Sequence, residues 1–123
     1  MITAEYWIEA LGLEEHVEGG YFRRTFQADH RPRISTPAGD RYTLTSIHYL
    51  LTRGSPVGHW HLNRSDILHF HHHGEAITYH LLYPDGRHRS AVLGQDLTGA
   101  SSSRSLSPVE SGRRPTSLRA TTA

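Results

Sequence analysis

The sequence contains no cysteine and no lysine. Without cysteine the chain forms neither disulfides nor thiolate sites, which favours a cytoplasmic location. No apolar run approaches the roughly 20 residues of a membrane-spanning helix. The N-terminus also lacks the basic and apolar segments of a signal peptide. Because the formal net charge is only +1, general nucleic-acid binding is not expected. These absences predict a cytoplasmic protein that interacts with neither membranes nor nucleic acid.

Histidine and arginine are abundant instead. The 123 residues include 11 histidines, and all 13 basic residues other than histidine are arginine. A chain of this length is expected to form one domain with a modest hydrophobic core. The excess of histidine is the main chemical signal, because imidazole titrates near neutral pH and is a common metal ligand.

The chain begins with a predicted helix and continues with short strands. Thr3 is suited to cap the start of the helix, and Gly12 is suited to end it. Residues 18–20 form a predicted turn, and residues 28–42 a loop. Strands are predicted at 21–27, 43–52, 57–62, 67–73, 76–83 and 87–93, with a hairpin turn at 84–86. One helix followed by several short strands predicts an all-β sandwich or barrel.

The composition changes near residue 100. Residues 100–123 contain seven serines, four arginines and a single carboxylate, Glu110, but no aromatic residue. Such a segment buries too little apolar surface to offset the entropy lost on ordering. We therefore expect a folded domain over residues 1–99 and a disordered tail over 100–123.

Two histidines and an aspartate are spaced as candidate metal ligands. His59 and His61 point to one face of a strand because side chains alternate with period two, and Asp66 follows five residues later. Two imidazoles and a carboxylate suit iron, manganese, nickel or zinc. The alternative is that these histidines form hydrogen bonds inside a polar barrel without a metal.

A second group of histidines follows on the next predicted strand. His69 lies between Leu68 and Phe70 and is the histidine of this group most expected to point inward. For residues 71–73, all histidine, the favoured interpretation is a solvated strand end; a metal site or a pH-sensitive surface is the alternative.

The segment from Glu18 to Arg23 is a candidate binding element. Gly19 and Gly20 permit a tight turn with positive φ, which delivers Tyr21 and Arg23 to the same face of the next strand. A phenol beside a guanidinium suits a small polar or anionic ligand. The alternative is a packed tyrosine beside a surface arginine.

The order of these motifs resembles the DUF985 (Cupin_5) family of the RmlC-like cupin superfamily. The resemblance covers roughly residues 3–98. It implies a cupin double-stranded β-helix, a jelly-roll barrel with a small-molecule pocket, often paired as a homodimer. The segments that carry it are Glu18-Gly19-Gly20-Tyr21-Phe22-Arg23, Ile47-His48-Tyr49-Leu50-Leu51, His61 with Ser65-Asp66 and His69-Phe70, Tyr83-Pro84-Asp85-Gly86 and Leu93-Gly94-Gln95-Asp96-Leu97.

The match to the general cupin metal motif is incomplete. His59, His61 and Asp66 approximate its two histidines and glutamate, with Asp in place of Glu. A further histidine is expected in a second motif, but His88 is the last histidine of the chain. Any cofactor would be one divalent metal held by an incomplete ligand set.

The C-terminus looks frameshifted or truncated relative to that family. Members continue past Asp96-Leu97 with a segment resembling Gln-Val-Val-Val-Pro-Gly-Gly-Val-Trp-x-Ala. A back-translation of residues 103–114, read from its third base, gives Gln-Val-Val-Val-Pro-Gly-Gly-Val-Trp-Lys-Ala. The chain as written is then expected to lack its last strands, with open edges that favour strand exchange or aggregation. A genuine divergent tail is the alternative.

Three functions remain open from the sequence. The first is a small-molecule-binding cupin, which the fold analogy compares with an RmlC-like isomerase or epimerase that uses acid–base catalysis. Its catalytic residues would be His61 and His69, and its substrate-binding residues Glu18, Tyr21, Arg23 and His69. The second is a metal-dependent oxygenase or isomerase. The third is a non-catalytic binding module inactivated by loss of the C-terminal strands.

Overall fold

The computed structural model describes residues 2–62 and 65–95, together with short strands at 101–102, 104–107 and 117–122. The chain divides into two compact units, residues 1–50 and 51–123. The first contains helix α1 and strands β1–β5, at Ala4–Leu11, Glu14–Glu15, Tyr21–Gln27, Ile34–Thr36, Gly39–Arg41 and Thr45–Leu50. The second contains β6–β12, at Val57–His61, Ile67–Phe70, Ile77–Leu82, His88–Leu93, Ser101–Ser102, Arg104–Ser107 and Ser117–Thr122.

Helix α1 begins and ends as its sequence predicts. The Thr3 hydroxyl oxygen accepts a hydrogen bond from the Tyr6 backbone N–H at 3.2 Å, which satisfies one of the unpaired donors of the first turn. Gly12 adopts a left-handed conformation with φ of 61° and donates to the Glu9 carbonyl. Within the described residues no helix is long and apolar enough to cross a membrane.

The first unit is built on an antiparallel sheet in the order β1-β2-β5. A second, two-stranded hairpin, β3-β4, lies within the segment predicted to be a loop. Its turn is closed by Thr36, whose hydroxyl accepts from the Ala38 N–H and donates to the Gly39 carbonyl. The prediction missed this hairpin because each strand has only three residues and the sequence around it resembles a turn throughout.

The second unit holds a cluster of buried hydrophobic side chains. Its main sheet has the order β10-β9-β8-β12-β6, and β11 pairs separately with β7. Alternate residues of β8 point inward, so Tyr79 and Leu81 are buried with Tyr83 and Leu93, and Leu51 and Ile77 pack against them. The predicted hairpin turn between β8 and β9 is confirmed, with the Gly86 N–H donating to the Tyr83 carbonyl at 3.0 Å.

The structure differs from the predicted disordered tail in three places. Strands β10, β11 and β12 all lie in it; β11 pairs antiparallel with β7, and β12 lies between β8 and β6. Backbone N–H and C=O groups can pair whatever side chains they carry, so a polar composition does not exclude strands. The predicted boundary after residue 99 falls within residues 96–100, outside the described residues. A mainly β structure with one helix is confirmed.

Candidate functional site

The predicted residues of the first unit surround the turn before β2. Gly19 and Gly20 have φ of 98° and 74°, as that turn requires. The Tyr49 hydroxyl donates to the Gly19 carbonyl at 2.6 Å, and burial together with the charge of Glu18 raises the pKa of Tyr49. Tyr49 therefore remains a neutral donor at physiological pH and fixes the turn.

Tyr21 and Arg23 lie on the same face of β2, as predicted. The register pairs them with Leu50 and His48 on β5, and Tyr21 is half-buried. The Arg23 guanidinium, however, donates to the Leu11 carbonyl at 3.4 Å. A cation at the C-terminus of α1 is favourable because it interacts with the unpaired carbonyls there. Arg23 thus has a structural role that its spacing in the sequence did not reveal.

The histidines of β6 differ in exposure. His59 is exposed and His61 is half-buried. The His61 Nδ1 lies 2.9 Å from the His59 carbonyl oxygen. Because a carbonyl only accepts, Nδ1 is the donor, and Nε2 is the acceptor nitrogen of the neutral His61 ring.

His69 points inward, as predicted, and contacts a buried tyrosine. It is half-buried in β7, and its ring lies 4.5 Å from that of Tyr79 with the planes tilted by 38°. Burial, reinforced by the charge of nearby His61, lowers the pKa of His69 from 6.5 to about 4. His69 is therefore neutral at physiological pH and offers one donor and one acceptor nitrogen.

Sequence reasoning missed Tyr79. Its only signal was its inward position in a strand that alternates polar and apolar residues, and that signal does not separate a core residue from one that lines a site. The exposed histidines His72 and His73 agree with a solvated strand end. His71 is half-buried, and its Nε2 donates to the Glu75 carbonyl at 3.0 Å.

The three residues predicted as metal ligands differ in exposure and in hydrogen bonding. In residues 2–62 and 65–95, no group of three or more histidine, aspartate or glutamate side chains is placed to hold a metal ion. His61 Nδ1 is already bonded to the main chain, and both His59 and Asp66 are exposed. The ligand set His59, His61 and Asp66 stays a prediction, and no chemical step is assigned here to a metal.

The lowered pKa of His69 predicts a loss of stability in acid. Because the unfolded chain takes up this proton near pH 6.5 and the folded chain only near pH 4, the free energy of unfolding falls as the pH drops through that interval. The expected loss is about 1–3 kcal/mol. Urea titrations at pH 7 and pH 4.5 measure it. His69→Phe, which keeps an aromatic ring against Tyr79, should remove part of the pH dependence; an unchanged dependence would contradict the assignment.

Comparison with known proteins finds a matching family model and a similar yeast protein. The family model described as Cupin_5, cupin superfamily (DUF985), matches residues 5–112. The uncharacterized protein YML079W of Saccharomyces cerevisiae is 36% identical over 93 residues, which cover 68% of this chain and 46% of the yeast protein. The chain thus spans about half the length of this curated relative.

Two solved structures are similar over nearly the whole chain. The crystal structure of protein SO0799 from Shewanella oneidensis has a TM-score of 0.83 and 29% identity, covering 99% of this chain and 70% of that one. A hypothetical protein from Leishmania major has a TM-score of 0.82 and 26% identity, covering 98% and 70%. These similarities confirm the fold class predicted from the ordered motifs.

Proposed function

Because the chain belongs to the Cupin_5 family (DUF985) of the cupin superfamily, we propose that it binds a small polar or anionic molecule. The binding residues would be His61 and His69 of the second unit, with Tyr79 forming the wall behind them. The observation that carries the proposal is the position of His69, half-buried on the Tyr79 ring and near enough to His61 for electrostatic repulsion between the two rings to add to the effect of burial in lowering the pKa of His69.

A neutral histidine at this position is suited to a ligand with both donors and acceptors. Its ring presents one N–H and one unprotonated nitrogen, while Tyr79, only 7% exposed, supplies an apolar surface. An anionic group beside His69 would favour its protonated form. Binding of an anion is therefore expected to raise the pKa of His69 and to be accompanied by proton uptake.

The same residues support an acid–base reaction of the isomerase or epimerase type. A neutral His69 can accept a proton from a carbon beside a carbonyl, leaving an enolate, and the resulting imidazolium can return that proton. The ligand charge that raises the pKa of His69 would bring it closer to the operating pH, where such transfer is most efficient. The comparison with sugar-nucleotide epimerases rests on the fold.

The remaining predictions belong to the same proposal. Glu18 and Tyr21 are proposed as ligand-binding residues of the first unit, and Arg23 mainly as the cation at the end of α1. A cytoplasmic location, predicted from the absence of cysteine, and a homodimer, which the family resemblance implies, complete it. Light scattering coupled to size-exclusion chromatography tests the dimer; a monomer at micromolar concentration would contradict it.

The proposal is tested by ligand binding to wild type and to His69→Gln. A panel of hexose phosphates, nucleotide sugars and dicarboxylates is screened by thermal shift, and the best compound is titrated by calorimetry in buffers of different ionisation enthalpy. We expect His69→Gln to weaken binding at least tenfold, about 1.5–3 kcal/mol, and to abolish proton uptake.

His72→Ala is the matched control, because His72 is exposed at the end of the same histidine run. It should bind the compound as tightly as wild type. Equal affinity in wild type and His69→Gln would overturn the proposal, and so would a panel in which no compound stabilises the wild-type protein. For a compound that binds, exchange of its C–H protons in deuterated water, followed by NMR, separates an enzyme from a binding protein.

A further inference from the structure

Two histidines outside the candidate site face each other across the β8–β9 hairpin. His80 Nδ1 and His88 Nε2 are 3.1 Å apart, and their ring centres are 5.3 Å apart with the planes inclined by only 16°. The distance between the ring centres exceeds the nitrogen–nitrogen distance by about twice the distance from a ring centre to its own nitrogen. The two nitrogens therefore lie close to the line that joins the ring centres. The rings therefore meet edge to edge in nearly one plane.

This pair lies on the face of the sheet opposite the core. The register pairs His80 with Ser90 and Leu82 with His88, so the two histidines are diagonal neighbours on one face. Tyr79, which follows the alternation of β8, points to the other face, where it contacts His69. The sheet therefore separates the histidine pair from the candidate site.

The backbone around the pair is well fixed. His80 lies in a central strand, paired on one side with β9 and on the other with β12. His88 follows a turn in which the Asp85 carboxylate accepts from the Arg87 backbone N–H at 3.0 Å and from its side-chain Nε at 2.7 Å. Little conformational freedom remains to be lost when a ligand engages both rings.

We propose that His80 and His88 bind a divalent transition-metal ion, such as zinc, as a two-imidazole chelate completed by water. Nitrogens at about 2.0–2.1 Å from a tetrahedral zinc lie roughly 3.3–3.4 Å apart, a few tenths of an ångström more than the separation seen here. The lone pair of an imidazole lies in its ring plane and points away from the ring centre, so one ion can lie in both planes of a nearly coplanar pair once each ring turns by roughly 35° within its plane to direct its nitrogen at the ion. The proton between the rings moves to the other nitrogen of the donor ring.

The surrounding charges limit the affinity but do not prevent binding. Arg87 is engaged by Asp85 and lies over the Tyr83 ring, with its guanidinium carbon 4.9 Å from the ring centre. Arg89 is directly opposite Leu81, so it lies on the core face, away from the histidine pair. Arg119 is directly opposite His80 in the β12–β8 register. With two protein ligands and cations nearby, binding is expected to be moderate, which suits an accessory or regulatory site better than a structural one.

The test is calorimetric titration of zinc chloride into the full chain at pH 7.5. Wild type is expected to bind one ion at this pair, and His88→Ala to weaken that binding at least tenfold. His88 is exposed, so the variant should fold normally; circular dichroism verifies this, and His80→Gln provides a second disruption of the pair. The double variant His72→Ala/His73→Ala is the matched control, because it removes two exposed histidines from another strand end.

Each outcome decides the proposal. Retention of zinc affinity in the control, together with its loss in both His88→Ala and His80→Gln, supports the site. Unchanged affinity in His88→Ala, loss of affinity in the control, or no measurable binding by wild type would each overturn it. Because His69 is intact in all of these variants, the outcome is independent of the proposed ligand-binding function.

Discussion

Replacement of Leu93 by alanine is expected to lower the free energy of unfolding by about 2–5 kcal/mol. Leu93 is only 1% exposed and belongs to the cluster formed with Tyr79, Leu81 and Tyr83. The substitution removes apolar surface from that cluster and leaves a cavity, and both effects are destabilising. Few described hydrophobic side chains are this well buried, so neighbouring groups have little capacity to compensate.

The expected loss is a large part of the total free energy of unfolding. Single domains are stable by about 5–15 kcal/mol, so Leu93→Ala should remove a substantial fraction of the stability. Urea unfolding, followed by circular dichroism at pH 7, measures it. Leu62→Ala is the matched control, because Leu62 is 56% exposed and should change the stability by less than about 0.5 kcal/mol. Equal losses in the two variants would contradict the assigned core.

The same variant tests whether the core supports the candidate site. Leu93 is directly opposite Ile77 in the β8–β9 register, and Tyr79 is the next inward residue along β8. A cavity at Leu93 would loosen the position of the Tyr79 ring and, through it, of His69. Weaker ligand binding in folded Leu93→Ala is therefore expected, although Leu93 itself contacts no ligand.

Those parts of the fold that depend on local chemistry could be predicted from the sequence. Thr3 and Gly12 specify the ends of α1 because a side-chain oxygen and a left-handed glycine act within one turn of the helix. Gly86 and the residues before it specify the β8–β9 turn for the same reason. The inward position predicted for His69 from its apolar neighbours agrees with its half-buried place in β7, although those neighbours are themselves exposed.

Features that depend on register could not be predicted in this way. His80 and His88 are eight residues apart, and only the exact pairing of β8 with β9 makes them diagonal neighbours. Arg23 lies far along the chain from Leu11, so its contact with the end of α1 depends on how the sheet folds back. A hairpin register is set by turn type and loop length, and the turn residues at 84–86 predicted a turn without specifying either.

Strand β7 pairs with β11 of the tail, so the tail sequence determines which residues lie opposite those of β7. Leu68 and Phe70 are 50% and 55% exposed, although their neighbour His69 is half-buried. The β11–β7 register places residue 106 opposite Leu68 and residue 104 opposite Phe70. In this sequence those positions are leucine and arginine. The residue types at positions 104 and 70 therefore do not make an apolar cross-strand pair.

Replacement of residues 103–113 by Gln-Val-Val-Val-Pro-Gly-Gly-Val-Trp-Lys-Ala, the segment expected from the alternative reading frame, should stabilise the protein. It places valine at 104, 105 and 106, opposite Phe70, His69 and Leu68 in the observed register. β-branched residues favour strands, and each apolar cross-strand pair contributes about 0.2–1 kcal/mol. The melting temperature is therefore expected to rise by about 3–10 °C, and aggregation on heating should decrease because less apolar surface is exposed.

A scrambled segment of the same composition is the control, because it keeps the number of valines while placing glycine opposite Phe70 and Leu68. If the gain arises from cross-strand pairing, the scramble should not reproduce it. Equal stabilisation by both segments would show that composition alone matters, and no stabilisation by either would favour a genuine divergent tail. Sequencing of the gene between the codons for Leu97 and Ser103 tests the origin of the tail independently, since a shifted frame requires the gain or loss of bases in that interval, whereas a divergent tail requires none.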